Sequence, residues 1–135
     1  MNDPGGRLIE LGVDECWDLL RAESVGRIAW SGANGPTVLP VNFIVVDKAV
    51  VFRTSPYSSA ARECDSQPVA FEIDELDPFT RSGWSVLARG TARLVYDDHL
   101  VPDDGQQLDT WAAGARPLHV VLEPRELTGR RLLPS

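Results

Sequence analysis

The stretch Trp84–Val95, WSVLARGTARLV, alternates with a strict period of two. Trp84, Val86, Ala88, Gly90, Ala92 and Leu94 share one face; Ser85, Leu87, Arg89, Thr91, Arg93 and Val95 share the other. A helix would scatter these positions around its axis, whereas a half-buried strand collects them, so one long strand with an apolar side and a polar side is fixed here. Further β-branched runs surround it: VGRIAWS (25–31), PTVLPVNFIVV (36–46), AVVFRTS (49–55), QPVAFEID (67–74) and PLHVVLE (117–123). Gly32-Ala33-Asn34-Gly35 and Asp47-Lys48 are short enough to join the first three as hairpins, although the second turn lacks the usual glycine. ELDPFTRSG reads as a loop before the long strand, and a PREL turn closes the last one. Helical spacing is confined to VDECWDLLRAES, with Asp14 as a candidate cap and Val13, Cys16, Trp17 and Leu20 along one side, and to a short turn through residues 60–62. Strands without helical spacers exclude βαβ winding and predict a mainly β fold, a six-stranded antiparallel barrel with short helices.

The 135 residues suit one core, so residues 1–135 are expected to form a single domain, with 1–9 as a flexible lead. A net charge of −7 argues against nucleic acid, whose phosphates require a broad basic surface. No run of about 18 apolar residues suggests a membrane span, and no basic flank precedes an apolar leader, so a cytoplasmic protein is expected. Cys16 and Cys64 lie far apart and read as reduced, buried thiols. His99 and His119 are isolated from other ligand types, which argues against a dedicated metal site.

Two segments carry candidate chemistry. In VVFRTSPYSSAAREC, Pro56 ends the strand after Arg53-Thr54-Ser55, and Ser58 or Ser59 can cap a helix through Ala60, Ala61 and Arg62. Hydroxyls and free N–H groups at a helix start, walled by Arg53 and Arg62, suit a phosphate; the same serines also suit plain capping. In VLPVNF, Pro40 marks an edge or a bulge, where an open strand could bond a flat heterocycle with Asn42 close by.

The succession GRIAW, PTVLPVNF, VVFRTSP, PVAFEID, GWSVLARGTARLV and TGRR resembles the pyridoxamine 5′-phosphate oxidase-like, flavin-nucleotide-binding split-barrel proteins, notably their actinobacterial branch, over roughly residues 10 to 132. The resemblance implies a six-stranded split β-barrel, a homodimer, and FMN in clefts between the subunits; a deazaflavin coenzyme is the alternative. By position it assigns Arg53, Thr54, Ser55, Ser58 and Ser59 to the phosphate and ribityl end. Pro40, Val41 and Asn42 fall on the strand along the ring, Trp84 and Ser85 in the cleft, and Trp111 on the late tryptophan that often comes from the partner. Ser59 stands where many relatives carry lysine, and Arg62 is the cation that could replace it. The Arg and His pair used on substrate by true pyridoxamine phosphate oxidases has no clear counterpart. The resemblance thus implies an oxidoreductase acting on an unidentified small molecule, or a non-catalytic flavin store, with no catalytic side chain assigned. For the dimer, Trp30, Trp84 and Trp111 are the expected apolar area.

Overall fold

The computed structural model describes residues 6–96 and 118–134. Among the described residues seven strands and two helices follow in order: β1 (Arg7–Leu11), α1 (Val13–Ala22), β2 (Val25–Gly32), β3 (Gly35–Val46), β4 (Ala49–Thr54), α2 (Ser59–Glu63), β5 (Pro68–Asp77), β6 (Ser82–Val95) and β7 (Leu118–Leu133). All pairings are antiparallel. The order β7-β4-β3-β2-β5-β6 returns to β7, which closes six strands into the expected barrel. β1 is a seventh strand, laid along the end of β7, so residues 7–9 belong to the sheet rather than to a flexible lead.

The alternation in β6 is realised as expected: Val86, Ala88, Gly90 and Ala92 are buried, while Arg89, Thr91 and Arg93 are exposed. Inward residues of every ring strand join one core that includes Ile28, Phe43, Phe52, Phe71, Val86 and Leu122, with Cys16, Trp17 and Leu20 of α1 packed on it. Both cysteines are buried and free. Val13, on the expected apolar side of α1, is exposed, and Gly12 rather than Asp14 occupies the cap position. Ala49, Val51 and Val121 form a smaller cluster on the outer face of β4 and β7.

Three local readings change. The Asp47-Lys48 turn works without glycine because Asp47 itself adopts φ +53°, a conformation that Asp tolerates better than most residues. The expected loop at 75–83 shrinks to Pro78–Arg81, because β5 and β6 pair as far as Asp77 and Ser82. PREL does not turn: β7 runs through it, and a register shift at Arg89/Gly90 accommodates one extra residue as a bulge.

Gly83 sits within β6 at φ +156°, and a Cβ there would lie 2.3 Å from the Glu75 carbonyl oxygen on β5. Its missing side chain therefore permits close contact between β5 and β6. Gly83→Ala is expected to destabilise the fold by about 1–3 kcal/mol. Gly12→Ala, with nothing within 4 Å, should lower the urea midpoint far less; equal midpoints for the two variants would contradict this role.

Candidate functional site: two half-sites on one barrel

β4 carries Phe52 inward and Arg53 outward, since its buried and outer positions alternate. Phe43↔Phe52 is the last registered pair between β3 and β4. One further step brings Asn42 level with Arg53 on the same face. Pro40 lies where β3 outruns β4 and pairs with β2 alone, which resolves its two readings in favour of an edge. Val41 points the other way and packs on the core, so its side chain faces away from Pro40 and Asn42. Asn42 and Arg53 are thus brought side by side on the outer face.

Three hydroxyls in this half, those of Thr54, Ser55 and Ser58, make bonds within the turn. Thr54 is buried with its Oγ1 2.6 Å from Ser58 Oγ. Ser58 Oγ also accepts the Ala61 N–H at 3.1 Å, and Ser55 Oγ accepts the Tyr57 N–H at 3.2 Å. These serines build the turn, as ordinary capping would have them do. α2 has only five residues, so its dipole is slight, and the positive charge of this half comes from Arg53 and Arg62. Arg62 does fold back: its guanidinium donates to the Tyr57 carbonyl, ahead of the helix. Ser59 is half-buried in the first turn.

Trp84 and Ser85 form the other half. Trp84 packs partly against the core, beside a hollow of about 330 Å³ that Glu75, Arg131 and Leu132 also line. Ser85 faces outward, level with Asp74 and Arg130, in a cavity of about 530 Å³ shared with Glu72, Arg89 and Thr128. From Arg53 the sheet leads to Ser85 through β3, β2 and β5, four strand spacings or roughly 19 Å around the barrel. The other way, Arg53 is level with His119 and Val95, and Ser85 lies ten residues back along β6. On a closed ring these halves face different directions, so one chain does not bring all the sequence-selected residues together. Trp30, expected at a dimer surface, is in the core with its Nε1 bonded to Glu63 Oε1 at 2.9 Å. Trp111 lies outside the described residues.

The outer wall between Pro40 and Ser85 is charged. Arg27, level with Pro40, donates from Nη1 to Glu72 at 3.0 Å and approaches Asp74 at 3.4 Å. Burial, and the adjacent Asp74 carboxyl, push the Glu72 pKa up to about 7 despite Arg27. The sequence reading missed this trio, because the Arg27↔Glu72 alignment exists only once β2 and β5 are in register. Among the described residues no group of three His, Cys, Asp or Glu is placed to hold a metal, and no helix is long and apolar enough to cross a membrane.

The sequence model of the pyridoxamine 5′-phosphate oxidase family matches residues 12–131. The chain belongs to that family. An uncharacterized Mycobacterium tuberculosis protein is 37% identical to this chain over 131 residues, covering 93% of this chain and 86% of its own. The solved structure of an FAD-binding protein from Mycobacterium smegmatis is 32% identical, covers 93% of this chain and 98% of its own, and superposes with a TM-score of 0.73. A Corynebacterium diphtheriae protein of unknown function is 29% identical, covers 97% and 100%, and gives a TM-score of 0.72.

A raised carboxyl pKa fixes the sign of a pH effect. The folded state holds the Glu72 proton more tightly than the unfolded chain, whose value is near 4.5, so the contribution is present below that pH and is lost as pH rises through about 7. Urea midpoints should therefore fall between these pH values in the wild type, and Glu72→Gln should flatten that slope. An unchanged slope would show that Glu72 titrates normally.

Proposed function

We propose that this chain binds a flavin nucleotide, FMN in the simplest case, between two copies of itself, and that the complex serves as an oxidoreductase on a small organic substrate. The observation that carries the reading is the split of the candidate residues into two halves on different sides of the barrel. A second copy, placed with its Ser85 half against the first copy's Arg53 half, completes both sites by one two-fold operation. The M. smegmatis relative, similar over nearly its whole length, is an FAD-binding protein, which supports flavin as the ligand class.

The residues present suit such a ligand. Arg53 and Arg62 supply two cations beside the turn at 55–58, matching the charge of a terminal phosphate and the acceptor geometry of its oxygens. Pro40 and Asn42 offer an edge strand and an amide along the outer face, and Ser85 offers a hydroxyl at the wall of the larger cavity. A bound flavin supplies the electron-accepting ring; the protein's part is to orient it, bond its polar edge and exclude water. Arg27 neutralises one of the two carboxylates on the wall between Pro40 and Ser85, which limits repulsion of an anionic ligand there.

Arg53→Ala is expected to weaken FMN binding by about tenfold to a hundredfold, the range of a charge-assisted hydrogen bond. Riboflavin, which lacks the phosphate, should lose little. Titrating the apo protein while following flavin fluorescence, with FMN, FAD, riboflavin and a deazaflavin coenzyme in parallel, separates the outcomes. Equal losses for FMN and riboflavin would place the Arg53 effect in the fold, and binding of the deazaflavin alone would overturn the flavin assignment.

A further inference from the structure

The Glu63 carboxylate, at the end of α2, reaches across to the tip of the β2–β3 hairpin. Its Oε1 accepts the Trp30 indole N–H at 2.9 Å and its Oε2 accepts the Ala33 backbone N–H at 3.2 Å. Both carboxylate oxygens are thus used by donors about thirty residues away in the chain. The site is built for that carboxylate, because a Cβ on Gly32 would come within 2.5 Å of Oε1. The two donated bonds hold its pKa below the usual glutamate range, so the latch is closed at neutral pH. At the other end of the segment, Thr54 and Ser58 share a hydroxyl bond. Residues 54–63 are therefore pinned at both ends, and Arg62 lies within the pinned span.

We propose that Glu63 is a positioning residue for the phosphate end of the ligand site: its two-armed grip on the β2–β3 hairpin fixes the short helix from which Arg62 turns back. This rests on the flavin-nucleotide reading above, and it adds a residue that contacts the ligand nowhere and acts through Arg62. A helix of five residues has too few internal hydrogen bonds to hold its own place, so side-chain bonds to the barrel must do so. The indole N–H matters as much as the carboxylate. Trp30 is buried by its ring, yet its one polar atom is spent on α2 rather than on the core.

The test is an FMN and riboflavin titration of wild type, Glu63→Gln, Arg62→Ala and the double variant. Glutamine keeps one acceptor but turns an NH₂ toward the other donor, so one arm of the latch opens. Glu63→Gln should weaken FMN by roughly tenfold and riboflavin by less than about twofold. The double variant should bind FMN no more weakly than Arg62→Ala alone, because residues acting through one another are not additive. The Trp30 indole N–H resonance should move upfield in Glu63→Gln, which reports the opened arm independently of any ligand. Should Glu63→Gln fold poorly, Gly32→Ala displaces the carboxylate without altering it and should reproduce the selective FMN loss. An FMN affinity equal to wild type with the indole resonance shifted would overturn the proposal, as would additive losses or equal losses for FMN and riboflavin. A wild-type protein that binds neither ligand would remove the flavin reading and this inference with it.

Discussion

β7 is the strand on which the architecture depends. It pairs with β6 along nearly its whole length, while its other edge is shared by β4 at the start and β1 at the end. Sixteen residues in one strand are needed because the ring closes with a stagger: following aligned residues from Leu118 around the barrel returns to β7 near its far end. The bulge opposite Arg89/Gly90 lets such a long strand bend around the core without breaking its ladder. Without that stagger the inward Phe43, Phe52 and Phe71 would not converge on one interior.

The same stagger separates the two groups of candidate residues. Arg53 is level with the start of β7 and Ser85 with its end, so no rearrangement short of opening the barrel brings them into one cavity. In the two-fold pair proposed above, what one chain separates would be reunited, and the outer walls that would meet carry groups of both charges rather than a uniform charge. Arg53 and Arg62 mark one half; Glu72, Asp74 and Arg27 mark the approach to the other. Arg53 and Arg62 stand out against a net charge of −7.

Much of this was legible in the residues. The two-residue period of 84–95 fixed the inner and outer faces of β6 because burial alone decides that alternation, and Pro56 with Ser58 marked the end of β4 and the start of α2. β1 carries no strict polar–apolar alternation in RLIEL, three of its five residues are exposed, and it acquires strand geometry only from β7. PREL reads as a turn but forms a β7 bulge, since Pro and Arg carry the same local signal in either setting. Trp30 and Glu63 were invisible as a pair for a simpler reason: their bond depends on where a helix lands against a hairpin, which no spacing encodes. Arg62 turns back to bond the Tyr57 carbonyl, and the Thr54 and Ser58 hydroxyls bond to each other, contacts made across a turn that no residue spacing spells out.

The central claim is that one ligand site takes Arg53 from one copy and Ser85 from another, and co-expression of two defective chains tests it directly. Chains carrying Arg53→Ala or Ser85→Arg should each bind FMN poorly as pure proteins. Random pairing of equal amounts makes about half of the dimers mixed, each with one intact site and one doubly altered site, so about a quarter of all sites should recover wild-type affinity. If the site lay within a single chain, every site in the mixture would keep one defect, and the titration would show no recovered fraction at all.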